Sequence, residues 1–253
     1  VRRIVIPMKR NLFFLALLFA SGFLFTRTHR AKAIKPVAVI ELFTSQGCSS
    51  CPPADRLLTE ISKQAIIDGQ EVYALSFHVD YWNRLGWKDP YSNHQYTARQ
   101  QRYAQLFGLG TIYTPQAVLN GNHEFVGSNP AKLTTLLSSA LNSPASVGVQ
   151  VSASRRGETI AVNYALTGAT KGTLLNVALV SESVSTVVSR GENAGHTLMH
   201  NNVVRAFTTL RASETGQTMF TIPADFDLAK GAIVVYVQDE KSLHTLGAGK
   251  VKI

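Results

Sequence analysis

A chain of 253 residues, 45% hydrophobic and 16% charged, has the length and apolar content for one large or two small cored domains. Its formal charge of +9 is concentrated at one end: Arg2, Arg3, Lys9, Arg10, Arg27, Arg30 and Lys32 stand in residues 1–33 without an acid, and the remainder carries only +2. No basic helix or aromatic-basic stripe remains, which excludes nucleic acid as a partner.

Residues 1–33 read as a secretory signal. Lys9-Arg10 is the basic region, Leu12 to Phe25 the apolar core, and Ala31-Lys32-Ala33 the cleavage site. The apolar run is short for a membrane span. Arg27, His29 and Arg30 follow it as stop-transfer charges would, so an uncleaved anchor is the alternative. Met8 begins a normal signal, and Val1 is an unusual first residue. Cleavage after Ala33 predicts a secreted or periplasmic protein with no membrane attachment, in an oxidising compartment.

Residues 37–43 are nearly all apolar, as a buried parallel strand requires. A polar turn with Gly47 follows, then Cys48-Ser49-Ser50-Cys51, then Pro52 and Pro53 at a helix start. Free N–H groups and the helix dipole favour a thiolate there. Two cysteines three apart can open and close a small disulfide ring with little backbone movement. These are the chain's two cysteines, so a structural zinc would have to recruit two histidines. A static disulfide closing so short a loop would be a weak staple.

The helix is expected to stop at Asp68-Gly69, and 71–77 form a second strand, parallel to the first through a right-handed crossover. Residues 78–91 make a long aromatic loop with Trp82 and Trp87. Ser92, with Gln95 three residues on, reads as a capping box for another helix. Tyr96, Tyr103 and Leu106 form its apolar face, leaving Arg99 and Arg102 wet. Thr114-Pro115 precedes a strand at 116–119; Asn120-Gly121 turns it into a hairpin with 123–126. Asn129-Pro130 opens a last helix striped by Leu133, Leu136, Leu137 and Leu141. The order over 37–142 is β-α-β-α-β-β-α.

This order, the CxxC after the first strand and Thr114-Pro115 before the third resemble the thioredoxin superfamily. More closely, the stretch Glu41 to Asp55, the loop His78 to Trp87 and the stretch Tyr113 to Gly121 look like an uncharacterised family of secreted bacterial thioredoxin-like proteins. The superfamily resemblance implies that Pro115 follows a cis bond and faces the CxxC. It also implies that Cys48 is exposed and attacks while Cys51 lies deeper and resolves. A buried acid on the first strand assists the second cysteine in thioredoxins. Glu41 occupies that strand, one residue further from the CxxC than the pattern asks, and an ordinary strand-end carboxylate is the other reading.

Pro144 and Ser146 mark a boundary, after which the hydrophobic period is two. Strands are expected near 147–153, 159–167, 174–181, 184–189, 202–210, 217–222 and 232–238, making an antiparallel sandwich-like domain. The predicted organisation is a signal at 1–33, a thioredoxin-like α/β domain at 34–144 and a β-sandwich-like domain at 145–253. His196 and His200 stand close in sequence, but no helix fixes their spacing, and a plain polar loop is the favoured reading.

His78 and Asp80 follow the second strand directly and should reach the CxxC edge of the sheet. His78 can stabilise a thiolate, relay a proton or complete a copper site with both sulfurs; a hydrogen-bonded loop histidine is the simpler reading. Tyr81, Trp82 and Trp87 either pin the loop or line a groove. The leading expectation is a thiol–disulfide oxidoreductase acting on protein thiols or disulfides through Cys48 and Cys51, with Thr114, Pro115, Glu41 and His78 around them and no cofactor. A copper-handling protein using Cys48, Cys51 and His78, and a binding module with a static disulfide, are the alternatives.

Overall fold

The computed structural model describes residues 1–3 and 34–253, so the signal expected in 1–33 lies outside the described residues. The first strand, β1 (Ala38–Thr44), is buried along its whole length. Its side chains alternate between two cores, as a strand's geometry requires. Ala38, Ile40 and Leu42 meet Ala54 and Leu58 of α1 (Pro52–Ile67) and Leu133 and Leu137 of α3 (Pro130–Leu141). Val39 and Phe43 meet Tyr96 and Tyr103 of α2 (His94–Phe107).

The next strand, β2 (Val72–His78), runs parallel to β1 in the register Ala38↔Val72 to Thr44↔His78. Both strands therefore end at the same edge. On the other side of β1 lies β3 (Gln116–Leu119), antiparallel, with Glu41 opposite Val118. The hairpin to β4 (His123–Val126) turns through Asn120 and Gly121 at φ 47° and 72°. A Cβ on Gly121 would lie 1.8 Å from the Leu243 carbonyl oxygen, so the later chain closes directly over this turn. The N-cap of α2 is Asn93, whose side chain accepts from Gln95 N, and not Ser92, whose hydroxyl donates to the Asp89 carbonyl.

The second half contributes β5 (Gly148–Arg156), β6 (Thr159–Thr167), β7 (Thr173–Val187), β8 (Thr197–Arg211), β9 (Thr215–Thr221), β10 (Gly231–Asp239) and β11 (Thr245–Lys252). Two of the expected strands, 174–181 and 184–189, are the single long β7, and β11 was not anticipated. Among the described residues the strands form a mixed eight-stranded sheet, β11-β10-β7-β8-β2-β1-β3-β4, and a separate antiparallel sheet, β5-β6-β9.

The expected boundary at Pro144 therefore does not divide the sheets. β8 pairs in parallel with β2 at Ser76↔Val203, and Ser76 Oγ donates to the Asn201 carbonyl at 2.9 Å. This pairing covers an edge that β2 would otherwise leave open. One apolar cluster holds Val39, Phe77 and Tyr96 together with Ala178, Val204, Phe207 and Tyr236, so residues from both sides of Pro144 share a core. Each such buried side chain is worth about 1.5–3 kcal/mol. Residues 34–253 belong to one compact unit. The smaller sheet lays Ile160, Val162 and Phe220 against Leu175, Val177, Ile233 and Val235 of β7 and β10. No helix among the described residues is long and apolar enough to cross a membrane.

Candidate functional site

Where β1 ends, the chain turns through Ser45, Gln46 and Gly47 into the two cysteines. Cys48 N donates to the Ser45 carbonyl and Cys51 N to the Cys48 carbonyl, both at 3.2 Å. Gly47 lets the turn press on Trp82, whose Cβ would stand 3.2 Å from a Cβ placed there. Cys51 is the N-cap of α1 and already helical, at φ −78° and ψ −37°. The two cysteines form a disulfide, with Cα atoms 5.4 Å apart.

Both cysteines have 0% exposure, which corrects the expectation of an exposed Cys48. The segment 188–196, between β7 and β8, packs on the turn that carries Cys48. Asn193 Nδ2 donates to the carbonyls of Gln46 and Cys48, each at 2.9 Å. A Glu192 carboxylate oxygen accepts from Ser49 N at 3.0 Å and from Ser49 Oγ at 2.7 Å. These donors, the hydroxyl foremost, hold the Glu192 carboxyl below the usual range. Gly191 turns at φ 80°, where an added Cβ would stand 3.3 Å from the Trp87 Cβ.

The aromatic loop grips the same turn from the other side. Trp87 Nε1 donates to Gln46 Oε1 at 3.1 Å, and Trp82 Nε1 to Thr114 Oγ1 at 2.8 Å. Both tryptophans thus pin structure around the CxxC. The Thr114–Pro115 bond is cis, and the Thr114 carbonyl accepts from Ser50 Oγ at 3.5 Å. Thr114 and Pro115 are therefore brought to the cysteines. Asp80 is not: it binds Thr97 and lies 3.3 Å from His94.

His78 is fully buried, its Nδ1 2.7 Å from Asp89 Oδ2. The same Asp89 oxygen accepts from Gln46 N at 2.8 Å, and Oδ1 accepts from Tyr91 N at 3.0 Å. Burial alone would lower the His78 pKa; the Asp89 charge and hydrogen bond outweigh it and raise it. Burial would raise Asp89; the His78 charge and hydrogen bond, together with the backbone N–H groups of Gln46 and Tyr91, more than reverse that. The pair is an ionic strut behind the CxxC turn. Beyond it, the His200 ring centroid lies 4.7 Å from that of His78, and His200 Nδ1 lies 3.5 Å from Asp55 Oδ2. His200 is buried on β8, whereas His196 is exposed, so these two histidines do not converge.

Glu41 is not brought to the cysteines. It faces α2, on the side of β1 opposite α1. Arg99 donates Nη2 to Glu41 Oε1 at 2.8 Å and Nε to Oε2, and Tyr103 OH adds a bond of 2.6 Å. Arg99 Nη2 also reaches Tyr236 OH at 2.9 Å and Gln238 Oε1 at 3.0 Å. Arg99, expected to stay wet, is buried. Burial works against its charge, but Glu41 holds its pKa above the ordinary value. Among the described residues, no group of three or more His, Cys, Asp and Glu is placed to hold a metal ion.

Residues that sequence reasoning missed are Asp55, Asp89, Glu192 and Asn193. Asp89 sits in a segment whose loop character was visible. Glu192 and Asn193 lie 143 and 145 residues from their partners, and no local pattern marks them.

A crystal structure of an Agrobacterium tumefaciens protein is similar over 87% of this chain and 95% of its own, with 28% identity and a TM-score of 0.63. HBP35 of Porphyromonas gingivalis is similar in fold over 87% of this chain and 76% of its own, with 15% identity and a TM-score of 0.63. Comparison with curated proteins finds no match. Residues 39–238 match the family described as "Protein of unknown function (DUF1223)", and the chain belongs to that family.

Proposed function

We propose that this protein is an exported thiol–disulfide oxidoreductase of thioredoxin-like type, acting through Cys48 and Cys51 on protein thiols or disulfides. The observation that carries the reading is the Cys48–Cys51 disulfide at the start of α1, beside the Thr114 carbonyl. A thiolate on Cys48 would lie at the positive end of the α1 dipole, although Pro52 and Pro53 offer no N–H there and those of Ala54 and Asp55 go to the Cys51 carbonyl. The backbone at Thr114 and Pro115 offers an extended substrate a place to pair.

In the oxidising direction a substrate thiolate attacks the Cys48 sulfur. Cys51 leaves as a thiolate and takes a proton. A second substrate thiolate attacks its own sulfur in the mixed disulfide and expels Cys48. In the reducing direction the Cys48 thiolate attacks a substrate disulfide, and Cys51, once deprotonated, attacks Cys48 and releases the substrate thiol. Either direction requires segment 188–196 to lift from Cys48. His78 serves the site through Asp89 and the Gln46 backbone, as a positioning group.

The test is mechanism-based trapping in the exported fraction. Cys51→Ser should accumulate disulfide-linked partners that reductant dissolves, and Cys48→Ser should trap almost none. Equal, negligible trapping by both, with stoichiometric copper on the reduced protein, would overturn this reading in favour of metal handling. A disulfide that resists reduction in the native state, at a potential well below about −300 mV, would make it a staple.

A further inference from the structure

We propose that Asp55, backed by His200, takes and returns the proton of the Cys51 thiol as the disulfide closes and opens. This rests on the oxidoreductase reading and replaces Glu41 in the part the first strand was expected to supply.

Asp55 stands four residues after Cys51, and its N–H donates to the Cys51 carbonyl at 3.2 Å. Cys51 is itself helical. Side chains four apart share one helix face, and a helical side chain leans toward the N-terminus, so Asp55 belongs to the face of α1 that carries Cys51. Both are buried, Cys51 at 0% and Asp55 at 4% exposure.

The two other buried carboxylates nearby are saturated. Glu41 is held by Arg99 and Tyr103, and Asp89 by His78 and two backbone N–H groups. Asp55 is not. Its Oδ1 has no hydrogen-bond partner, and its Oδ2 accepts only a long bond from Thr44 Oγ1, at 3.3 Å. His200 is 1% exposed, and neither of its ring nitrogens makes a hydrogen bond. Leaving such groups unpaired costs about 1–3 kcal/mol each, a cost usually retained for a role. A carboxylate with an open oxygen can accept a proton; a carboxylate clamped by a permanent cation cannot.

The other groups facing the pair are few. β1 contributes only the hydroxyl of Thr44. β2 contributes His78, against the His200 ring, with Asp89 behind it and the Arg205 charge felt there. α1 itself contributes Arg56. A cleft of about 180 Å³, lined by Pro52, Asp55, Arg56, Leu198, Met199 and His200, opens beside the pair and can pass the proton to water.

When the mixed disulfide on Cys48 resolves, the Cys51 S–H proton moves to Asp55. The Cys51 thiolate then attacks Cys48, the substrate sulfur leaves with the electron pair, and Asp55 returns its proton through His200 and the cleft to solvent. Opening the disulfide runs the same proton inward.

The Cys48→Ser protein isolates the Cys51 thiol. Its thiolate absorbance, which needs no access for a reagent, should titrate in two coupled steps. Adding Asp55→Asn should leave one step, shifted to lower pH because a neighbouring negative charge is gone. In the otherwise wild-type chain, Asp55→Asn should slow release from a glutathione mixed disulfide on Cys48 by about 100-fold, with Asp55→Glu restoring part of it. His200→Gln, which leaves α1 untouched, should change the pH profile of release and carries the test if Asp55→Asn does not fold. An unchanged Cys51 titration, or a release profile unchanged in His200→Gln, would overturn the proposal. The titration needs no substrate, so a protein that exchanges normally yet ignores Asp55→Asn sinks only this pair. A coupled titration without any exchange activity sinks only the oxidoreductase reading.

Discussion

The side-chain amide of Asn193 donates to the backbone carbonyl of Cys48 at 2.9 Å, across 145 residues of chain. A second bond of 2.9 Å reaches the Gln46 carbonyl. Together they clamp segment 188–196 over a disulfide with neither cysteine exposed. The reactive turn and its cover thus come from opposite halves of the sequence.

Loosening that cover should speed access to the disulfide. Asn193→Ala removes two hydrogen bonds worth about 1 kcal/mol each, so reduction by dithiothreitol should quicken roughly 30-fold. Glu192→Gln weakens a solvent-exposed contact and should do less. Reduction rates followed by thiol release decide it; an unchanged rate in Asn193→Ala would show that opening of this segment does not limit access.

The Glu41–Arg99 pair should be a stability element. Glu41→Gln leaves the Arg99 cation uncompensated in a buried site, and breaking such a pair costs about 3–5 kcal/mol. Urea denaturation should show that loss. A cost under about 1 kcal/mol would mean that Tyr103, Tyr236 and Gln238 suffice for Arg99.

The His78–Asp89 strut predicts a pH window. His78 is raised above its ordinary 6.5, so its contribution is complete below that value and is lost as pH rises through the higher folded value. Asp89 is lowered from its ordinary 3.8, so its contribution is complete above that value and is lost as pH falls through the lower folded one. The stability gap between wild type and His78→Gln should be widest between pH 3.8 and 6.5 and should narrow on the alkaline side. A gap flat across this range into alkaline solution would contradict the ionic strut.

The shared sheet predicts cooperative behaviour. Residues 34–144 expressed alone would expose the outer edge of β2, the face of Phe77 that meets Phe207 and the Tyr96 hydroxyl that donates to the Val204 carbonyl. That fragment should lack a cooperative thermal transition, while residues 34–253 should unfold in one. An independently folding fragment would show that the β2–β8 junction is dispensable.

The elements from β1 to α3 were legible because each is bounded by local chemistry. Apolar runs mark β1 and β2, Pro52 and Pro130 open α1 and α3, and Gly69 and Gly108 follow the ends of α1 and α2 at φ 63° and 65°. The turn at Asn120-Gly121 and the placement of Cys48 and Cys51 at a helix start followed from the same short-range rules. The alternation after Val147 announced strands, but not where each would pair. The outer part of β7 leaves the core, so residues 182–187 lack the buried periodicity that would have joined them to 174–181.

What the sequence by itself determined was the order of elements from β1 to α3 and the placement of two cysteines at a helix start. Tertiary structure decided which edge β8 covers, which face of β1 Glu41 occupies and which residues enclose the disulfide. Hydrogen bonds between strands carry no sequence label, and a charged side chain such as Arg99 of α2 is buried only because the Glu41 carboxylate of β1 meets it. Those partnerships depend on distances across the fold, and only the folded chain sets them.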